Sequence, residues 1–276
     1  MKFLVPTDFS STSKKALHYA IDLAKQMHGG AIVAVHVVDS EDLIPASELE
    51  FKRFVQGLET PDGFSTETIV IVGNLYDAIG QYAKSHGFDL IIMSTEGATG
   101  LQKVLGSHAV RMIQHSKIPF IVVQKEIIDA PGGVKEIALP VTLEKEDKAI
   151  LAAVTDLALV LKAKIEIIYQ EKSDEFLAAT MKRNLNFTNA HFKNRGVETH
   201  INVVDEGADF SKEIIRIALA QECDLIATIN KHDNGIANLF GWNFDQNMLE
   251  NNAHIPVLTI DALPAETAKD IFGVNR

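Results

Sequence analysis

A glycine-rich segment in the first half of the chain carries residues that suit a phosphate-binding loop. Residues 93–123 read MSTEGATGLQKVLGSHAVRMIQHSKIPFIVV and include Gly97, Gly100 and Gly106. Glycine lets the backbone approach an anion without a Cβ in the way. Gly106 and Ser107 precede a helix-like run, and the amides at a helix N-terminus attract negative charge. The spacing equally suits a loop in which the glycines serve only to turn from strand to helix.

Two further loops place polar groups directly after apolar, strand-like runs. Thr7 and Asp8 follow KFLVP, and Val37 follows His36 near the end of AIVAVHVVD. Ligands of open parallel sheets bind at the carboxyl ends of the strands, so these loops and the glycine segment are expected to meet at one crevice. We expect Asp8 to cap a helix or orient a ligand, and His36 to be a packed residue rather than a base or ligand.

Known nucleotide and catalytic motifs do not fit this crevice. Ser107 stands where a P-loop would have its lysine, and no GxGxxG follows a strand. The ten histidines are dispersed, without an HExxH motif or a pair beside a carboxylate cluster. We therefore predict no catalytic residues, no defined metal site and no substantial ATP hydrolysis.

Composition and charge exclude several classes of partner. The formal charge is 26 − 37 = −11, without a basic block in either half, which opposes binding to nucleic acid or to an anionic membrane. Cys223 is the single cysteine, so an internal disulfide and a cysteine-cluster metal site are both excluded. The apolar run at the N-terminus is too short for a signal peptide. We expect a cytoplasmic protein in a reducing compartment.

Strand-like runs alternate with helical patterns throughout the chain, which predicts an α/β fold. The same order occurs twice. Pro6 matches Pro140 and the Asp22-Leu23-Ala24 triplet recurs as Asp156-Leu157-Ala158, both at a shift of 134. We infer a duplication that gives two doubly wound, mainly parallel five-stranded sheets with helices on both faces. The predicted domains are residues 1–128 and 134–262, joined by a Pro-Gly-Gly linker and followed by a C-terminal tail, 263–276.

The order PTDFS, AVHVV, MSTEGATG…GS…IPFIVV resembles the universal stress protein family, and because both halves carry it, the chain resembles a tandem member. The resemblance implies a Rossmann-like (HUP-type) fold and a stress-response regulator whose first half binds ATP or another adenine nucleotide. It implies that Asp8 and Val37 lie near the base, and that Gly97, Gly106 and Ser107 lie near the phosphates. The candidate cofactor-binding residues are Pro6, Thr7, Asp8, Val37, Met93, Ser94, Gly97, Gly100, Gly106, Ser107 and His108.

The chain departs from the pattern of the nucleotide-binding members of that family. Ser94 replaces the first glycine, and eight residues rather than nine separate Gly97 from Gly106. A Cβ at Ser94 would cost about 1–2 kcal/mol if the backbone there were left-handed. The second half departs further: Thr142 replaces the aspartate, and Trp242 replaces the serine.

We therefore predict that the second half is a partner domain that binds no nucleotide. Two alternatives stay open. One is a nucleotide-independent interaction scaffold with unknown protein partners. The other is an ATP hydrolase or adenylyl transferase, which is disfavoured because the glycine segment lacks a paired carboxylate, a catalytic lysine and a nucleophile motif.

The last strand of each half predicts how the halves assemble. Both strands begin with Ile-Pro, at 118–119 and 255–256. Proline favours strand starts and sheet edges, and a bare apolar edge invites pairing. We expect the two strands to pair within the chain as an intramolecular pseudo-dimer, and further homodimerisation stays open. The alternative is two independent domains on a flexible linker.

Overall fold

The chain forms two compact units, Met1–Ile127 and Ile128–Arg276. The computed structural model describes residues 1–28, 30–58, 64–95, 112–113, 116, 118–124, 133–143, 147–230, 248 and 251–261. Within each unit, parallel strands alternate with helices, which confirms the α/β class that the sequence predicts.

The first unit is a five-stranded parallel sheet with the order β3-β2-β1-β4-β5. Its strands are β1 (Lys2–Pro6), β2 (Gly30–Val38), β3 (Phe64–Val72), β4 (Leu90–Thr95) and β5 (Phe120–Gln124). Its helices are α1 (Ser11–Gln26), α2 (Ile44–Phe54) and α3 (Leu75–Ser85), with a short 3-10 turn at Glu41–Leu43. The central strand β1 is followed by β2 on one side and bordered by β4 on the other.

The second unit repeats this arrangement, because its sheet has the order β10-β9-β6-β7-β8 and is also parallel. Its strands are β6 (Glu136–Val141), β7 (Lys164–Gln170), β8 (Thr199–Val204), β9 (Leu225–Asn230) and β10 (Val257–Asp261). Its helices are α4 (Asp147–Leu161), α5 (Glu175–Lys193) and α6 (Phe210–Ala220). The matching strand order shows that the repeat seen in the sequence is a repeat of structure.

Helix α1 illustrates why these residues form these elements. Ser10 caps its N-terminus, because the Ser10 side chain accepts a hydrogen bond from the Ser13 amide. The apolar residues recur at helical spacing and are all buried. They are Ala16, Leu17, Ala20, Ile21, Leu23 and Ala24. This stripe packs against the sheet and leaves the polar side of the helix in water, as the periodicity predicts.

A repeated aspartate has a structural role that the sequence pattern does not reveal. The Oδ2 atom of Asp89 accepts a hydrogen bond of 2.8 Å from the backbone amide of Lys2. In the second unit, Asp224 Oδ2 accepts from the amides of Lys135 and Glu136, at 2.7 and 3.1 Å. Each aspartate therefore fixes the start of the central strand of its sheet, at the edge opposite the carboxyl ends.

The described helices do not include one that is long and apolar enough to cross a membrane.

Candidate functional site

The candidate crevice of the first unit lies at the carboxyl ends of β1, β2 and β4. These three strands are neighbours in the sheet. The chain leaves β1 for β2 on one side, while β4 lies on the other side, so the strand order reverses direction at β1. In doubly wound sheets this reversal opens the crevice that binds ligands.

Thr7 is the first residue after β1 and lies at the start of the crevice. Its amide donates to the oxygen of Val35, at 2.8 Å, and its side chain is buried. The Thr7 Oγ1 atom lies 2.9 Å from Ser13 Oγ and also accepts from the Phe9 amide, at 3.0 Å. These contacts join the end of β1 to the first turn of α1 and hold the intervening loop in one conformation.

Asp8 presents a carboxylate at the rim of the crevice. The residue is exposed, and its Oδ1 atom accepts a hydrogen bond of 3.0 Å from the Ser10 amide. Partial burial alone would raise the pKa of Asp8, but hydrogen bonds from Ser10 and Ser13 outweigh it and hold the pKa below its usual value. Asp8 is therefore an ionised, acceptor-only group at neutral pH.

Phe9 supports this loop in an uncommon backbone conformation. Its φ angle is +64°, in the left-handed region that a residue with a Cβ rarely adopts. The ring lies 4.4 Å from that of His36, 4.9 Å from that of Phe51 and 5.7 Å from that of Phe54, between ring centroids. Packing against β2 and α2 therefore holds the strained residue that follows Asp8.

His36 lies in this aromatic cluster and also hydrogen-bonds the loop. Its Nδ1 atom lies 2.7 Å from the backbone oxygen of Thr7. A carbonyl oxygen only accepts, so Nδ1 carries the proton. The next residue, Val37, is half-buried near the end of β2. As expected from the sequence, the His36 ring is packed, but its bond to Thr7 depends on a contact across the sheet that the sequence does not show.

The end of β4 supplies the third side of the crevice. Met93 is buried and Ser94 is half-buried, and both pair with β5, with Val122 and Val123 respectively. Ser94 lies within β4 and is not among the described residues with positive φ, so its Cβ causes no left-handed strain. The strain considered from the sequence is therefore absent at this position.

A buried hydroxyl follows at the last residue of β4. Thr95 is 7% exposed, and its Oγ1 atom has no hydrogen-bond partner in the part of the chain that the structure describes. The glycine segment comes next. Five candidate residues lie outside the described residues, namely Gly97, Gly100, Gly106, Ser107 and His108. The candidates from β1, β2 and β4 thus lie at the ends of neighbouring strands, and the predicted site as a whole stays a prediction.

The corresponding corner of the second unit has different chemistry. Thr142 stands in the place of Asp8, and its backbone oxygen accepts a hydrogen bond of 2.8 Å from Asn184 Nδ2 on α5. Gln170, at the end of β7, is buried, and its Nε2 atom donates to the oxygens of Asp205 and Ala208, at 3.2 and 2.9 Å. Thr142 thus replaces the Asp8 carboxylate with an uncharged side chain, and the nearby Gln170 amide is bonded to the loop before α6.

The described residues hold no group of three or more histidine, cysteine, aspartate and glutamate side chains that could bind a metal ion. Among the described residues, the ends of β1, β2 and β4 offer backbone groups, hydroxyls and the Asp8 carboxylate. This set suits an uncharged, hydrogen-bonding ring better than a bare cation.

Comparison with known proteins identifies the relatives of this chain. The model of the universal stress protein family matches residues 1–124. Universal stress protein MJ0531 of Methanocaldococcus jannaschii is 33% identical over 140 residues, which span 45% of this chain and 82% of the relative. Universal stress protein MJ0577 of the same organism is 26% identical over 155 residues, covering 45% and 95%.

A solved structure extends the likeness of fold to nearly the whole chain. A universal stress protein from Archaeoglobus fulgidus aligns with 95% of this chain and 96% of its own, at a TM-score of 0.68 and 16% identity. The family model and MJ0531 both match at the level of sequence. On this evidence the chain belongs to the universal stress protein family.

Proposed function

We propose that the first unit binds an adenine nucleotide, ATP or a relative of it, and that the chain acts as a nucleotide-dependent stress-response regulator. The second unit is then a partner domain that binds no nucleotide. The observation that carries this proposal is the exposed, ionised carboxylate of Asp8 beside the end of β2.

The chemistry of Asp8 favours adenine over guanine. A carboxylate only accepts hydrogen bonds, and the exocyclic amine of adenine donates them. Guanine has an oxygen at the same position of its ring, and that oxygen would face the carboxylate as a second acceptor. The adjacent backbone of Val37 supplies a donor and an acceptor of the kind that reads the remaining edge of adenine.

The contrast with the second unit supports an asymmetric chain. Thr142 brings no charge to the matching position, and the Gln170 amide is held by the loop before α6. An adenine ring there would meet a Gln170 amide that is already bonded to two backbone oxygens. Breaking such buried hydrogen bonds costs about 1–3 kcal/mol for each group left unpaired.

The test is the stoichiometry of nucleotide binding to the full chain. Native mass spectrometry and calorimetric titration with ATP should find one nucleotide per chain. Asp8→Ala should weaken binding at least about tenfold, because an interaction of about 1.4 kcal/mol corresponds to that factor. The matched change in the other unit, Thr142→Ala, should leave binding unchanged. Two nucleotides per chain, or equal effects of both substitutions, would contradict the asymmetric assignment.

A chain that binds no nucleotide would favour the interaction scaffold instead. Purified protein should therefore also be denatured and its supernatant analysed for adenine nucleotides by mass spectrometry. The expected result is an adenine nucleotide in a molar amount no greater than that of the chain. Its absence, together with a flat titration, would leave the scaffold as the better interpretation.

A further inference from the structure

The ladder of backbone hydrogen bonds between β1 and β2 lacks the last bond that the positions of the two strands would allow. At its start, Ala31 donates its amide to the Met1 oxygen, at 3.0 Å, and near its end Thr7 donates to the Val35 oxygen, at 2.8 Å. Both bonds use odd-numbered residues of β2, so the backbone groups of Val37 point to the same side as those of Val35. The next bond in the sequence would run from the Val37 amide to the Thr7 oxygen.

The Thr7 oxygen has a different donor. The His36 Nδ1 atom lies 2.7 Å from it, and the paired residues of β1 and β2 end at Pro6 and Val35. A side chain thus occupies the acceptor that would otherwise close the ladder. Within the described residues, the Val37 amide consequently faces the crevice, beyond the end of β1, with no partner on that strand.

The second unit provides an internal comparison. There the ladder between β6 and β7 runs one pair further, to Val141 and Tyr169, which is the position equivalent to Thr7 and His36. A parallel pair at that step requires the amide of Gln170 to bond the Val141 oxygen. Tyrosine has no donor at the place of the imidazole Nδ1. In the second unit, where tyrosine replaces the histidine, the ladder therefore includes this last bond.

We propose that His36 is a positioning residue for the nucleotide site, because its Nδ1–H occupies the Thr7 oxygen and leaves the Val37 amide open to the adenine ring. This inference rests on the proposed function. The open amide would donate to N1 of adenine, the acceptor next to the exocyclic amine that faces Asp8. His36 would act through the backbone of its neighbours and would not touch the ligand.

The aromatic cluster keeps the imidazole in the required orientation. The Phe9 ring lies 4.4 Å from that of His36, with the planes inclined by 37°, and Phe51 stands edge-on at 6.5 Å. A ring held on these sides keeps Nδ1 directed at the Thr7 oxygen.

Two substitutions separate the donor from the ring. Asparagine places an amide nitrogen at the same distance along the side chain as Nδ1, so His36→Asn retains the donor, whereas His36→Phe retains only the ring.

The first experiment measures the protection of the Val37 backbone amide in the absence of a ligand. Amide hydrogen exchange, measured by NMR on the full chain, should find the Val37 amide weakly protected in the wild type and in His36→Asn. In His36→Phe the amide should bond the Thr7 oxygen, and exchange should slow by about tenfold or more. His36→Tyr, which introduces the residue of the second unit, should behave like His36→Phe. Equal Val37 exchange in the wild type and in both ring variants would overturn the proposal.

The second experiment measures base discrimination with ATP and ITP. Inosine carries a hydrogen on N1 and an oxygen in place of the amine, so an open Val37 amide disfavours it. Calorimetric titration should show that His36→Phe weakens ATP binding about tenfold and narrows the preference for ATP over ITP, and that His36→Asn restores both. A purely structural role would change affinity for both nucleotides equally, and that result would overturn the assignment. A wild-type chain that binds neither nucleotide would overturn the proposed function, while Val37 exchange would still decide whether His36 holds the ladder open.

Discussion

The Asp224 Oδ2 atom lies 3.1 Å from the backbone nitrogen of Glu136, which is the same contact that Asp89 makes with Lys2 in the first unit, and it also accepts from the Lys135 amide at 2.7 Å. We predict that Asp224→Ala lowers the free energy of unfolding by about 1–2 kcal/mol, because hydrogen bonds to a charged acceptor are lost. Urea denaturation measures the change. Asp22→Ala is the control, since Asp22 is an exposed residue paired with Lys25 and should change stability by less than about 0.5 kcal/mol. Equal losses for the two variants would refute a special role for Asp224.

The positive φ of Phe9 predicts an unusual order of stability between two truncations. Both Phe9→Ala and Phe9→Gly remove the ring contacts to His36, Phe51 and Phe54, so both should be less stable than the wild type. Glycine adopts the left-handed conformation without strain, and alanine does not. We therefore predict that Phe9→Gly is the more stable of the two, by about 1 kcal/mol. Thermal denaturation of both variants tests this, and the reverse order would show that the backbone relaxes once the ring is gone.

Glu136 predicts how stability changes with pH. Burial raises the pKa of this carboxyl, Lys164 opposes the shift, and the charges of Glu166, Glu198 and Asp224 add to it. A raised pKa in the folded state means that the protonated form favours folding. This contribution is fully present below about pH 4.5, the ordinary value, and is lost as the pH rises through the folded pKa.

We accordingly predict that Glu136→Gln is more stable than the wild type at neutral pH, because the neutral amide avoids the buried charge. The Glu136 Oε2 atom is buried and has no hydrogen-bond partner among the described residues, which fits this expectation. The advantage should shrink as the pH falls through the raised pKa and should be gone below about pH 4.5. Denaturation at several pH values checks it. Glu50→Gln, at an exposed ion pair on α2, should show no such trend.

Turnover of ATP is expected to be absent or very slow. Asp8 is the carboxylate at the end of β1, and it accepts a hydrogen bond from the Ser10 amide. A ligand held by backbone groups is positioned, but no described side chain is placed to activate water or to neutralise a leaving group. A coupled phosphate-release assay should find a rate below about 1 per second. A faster rate that disappears in Asp8→Ala would favour the hydrolase alternative.

The pseudo-dimer remains a prediction of the sequence. It rests on the Ile-Pro starts at 118–119 and 255–256, and each proline comes immediately before the last strand of its own unit, β5 or β10. If these strands pair within the chain, residues 1–133 and 134–276 expressed separately should associate when mixed. Size-exclusion chromatography with light scattering measures this. Halves that stay monomeric and elute apart would leave two independent domains.

Local patterns predicted the elements well, and contacts between distant residues explain what they missed. The apolar stripe of α1 and the apolar run of β2 depend only on residues a few positions apart, so their burial follows from periodicity. The bond from His36 to Thr7 joins residues 29 positions apart, and its consequence for Val37 depends on which side of the strand each amide faces. The left-handed Phe9 is likewise set by rings on β2 and α2. No spacing rule contains this information.

The one-step difference between the two ladders also bears on how duplicated genes diverge. Histidine and tyrosine codons differ by a single nucleotide. One point mutation therefore separates the open ladder at His36 from the closed ladder at Tyr169. Closing the ladder adds a backbone bond and, under the proposed function, occupies an amide that would otherwise bind the base. A duplicate that no longer needs to bind a ligand therefore gains stability by the same substitution. Selection for a stable partner domain would act against the reverse substitution.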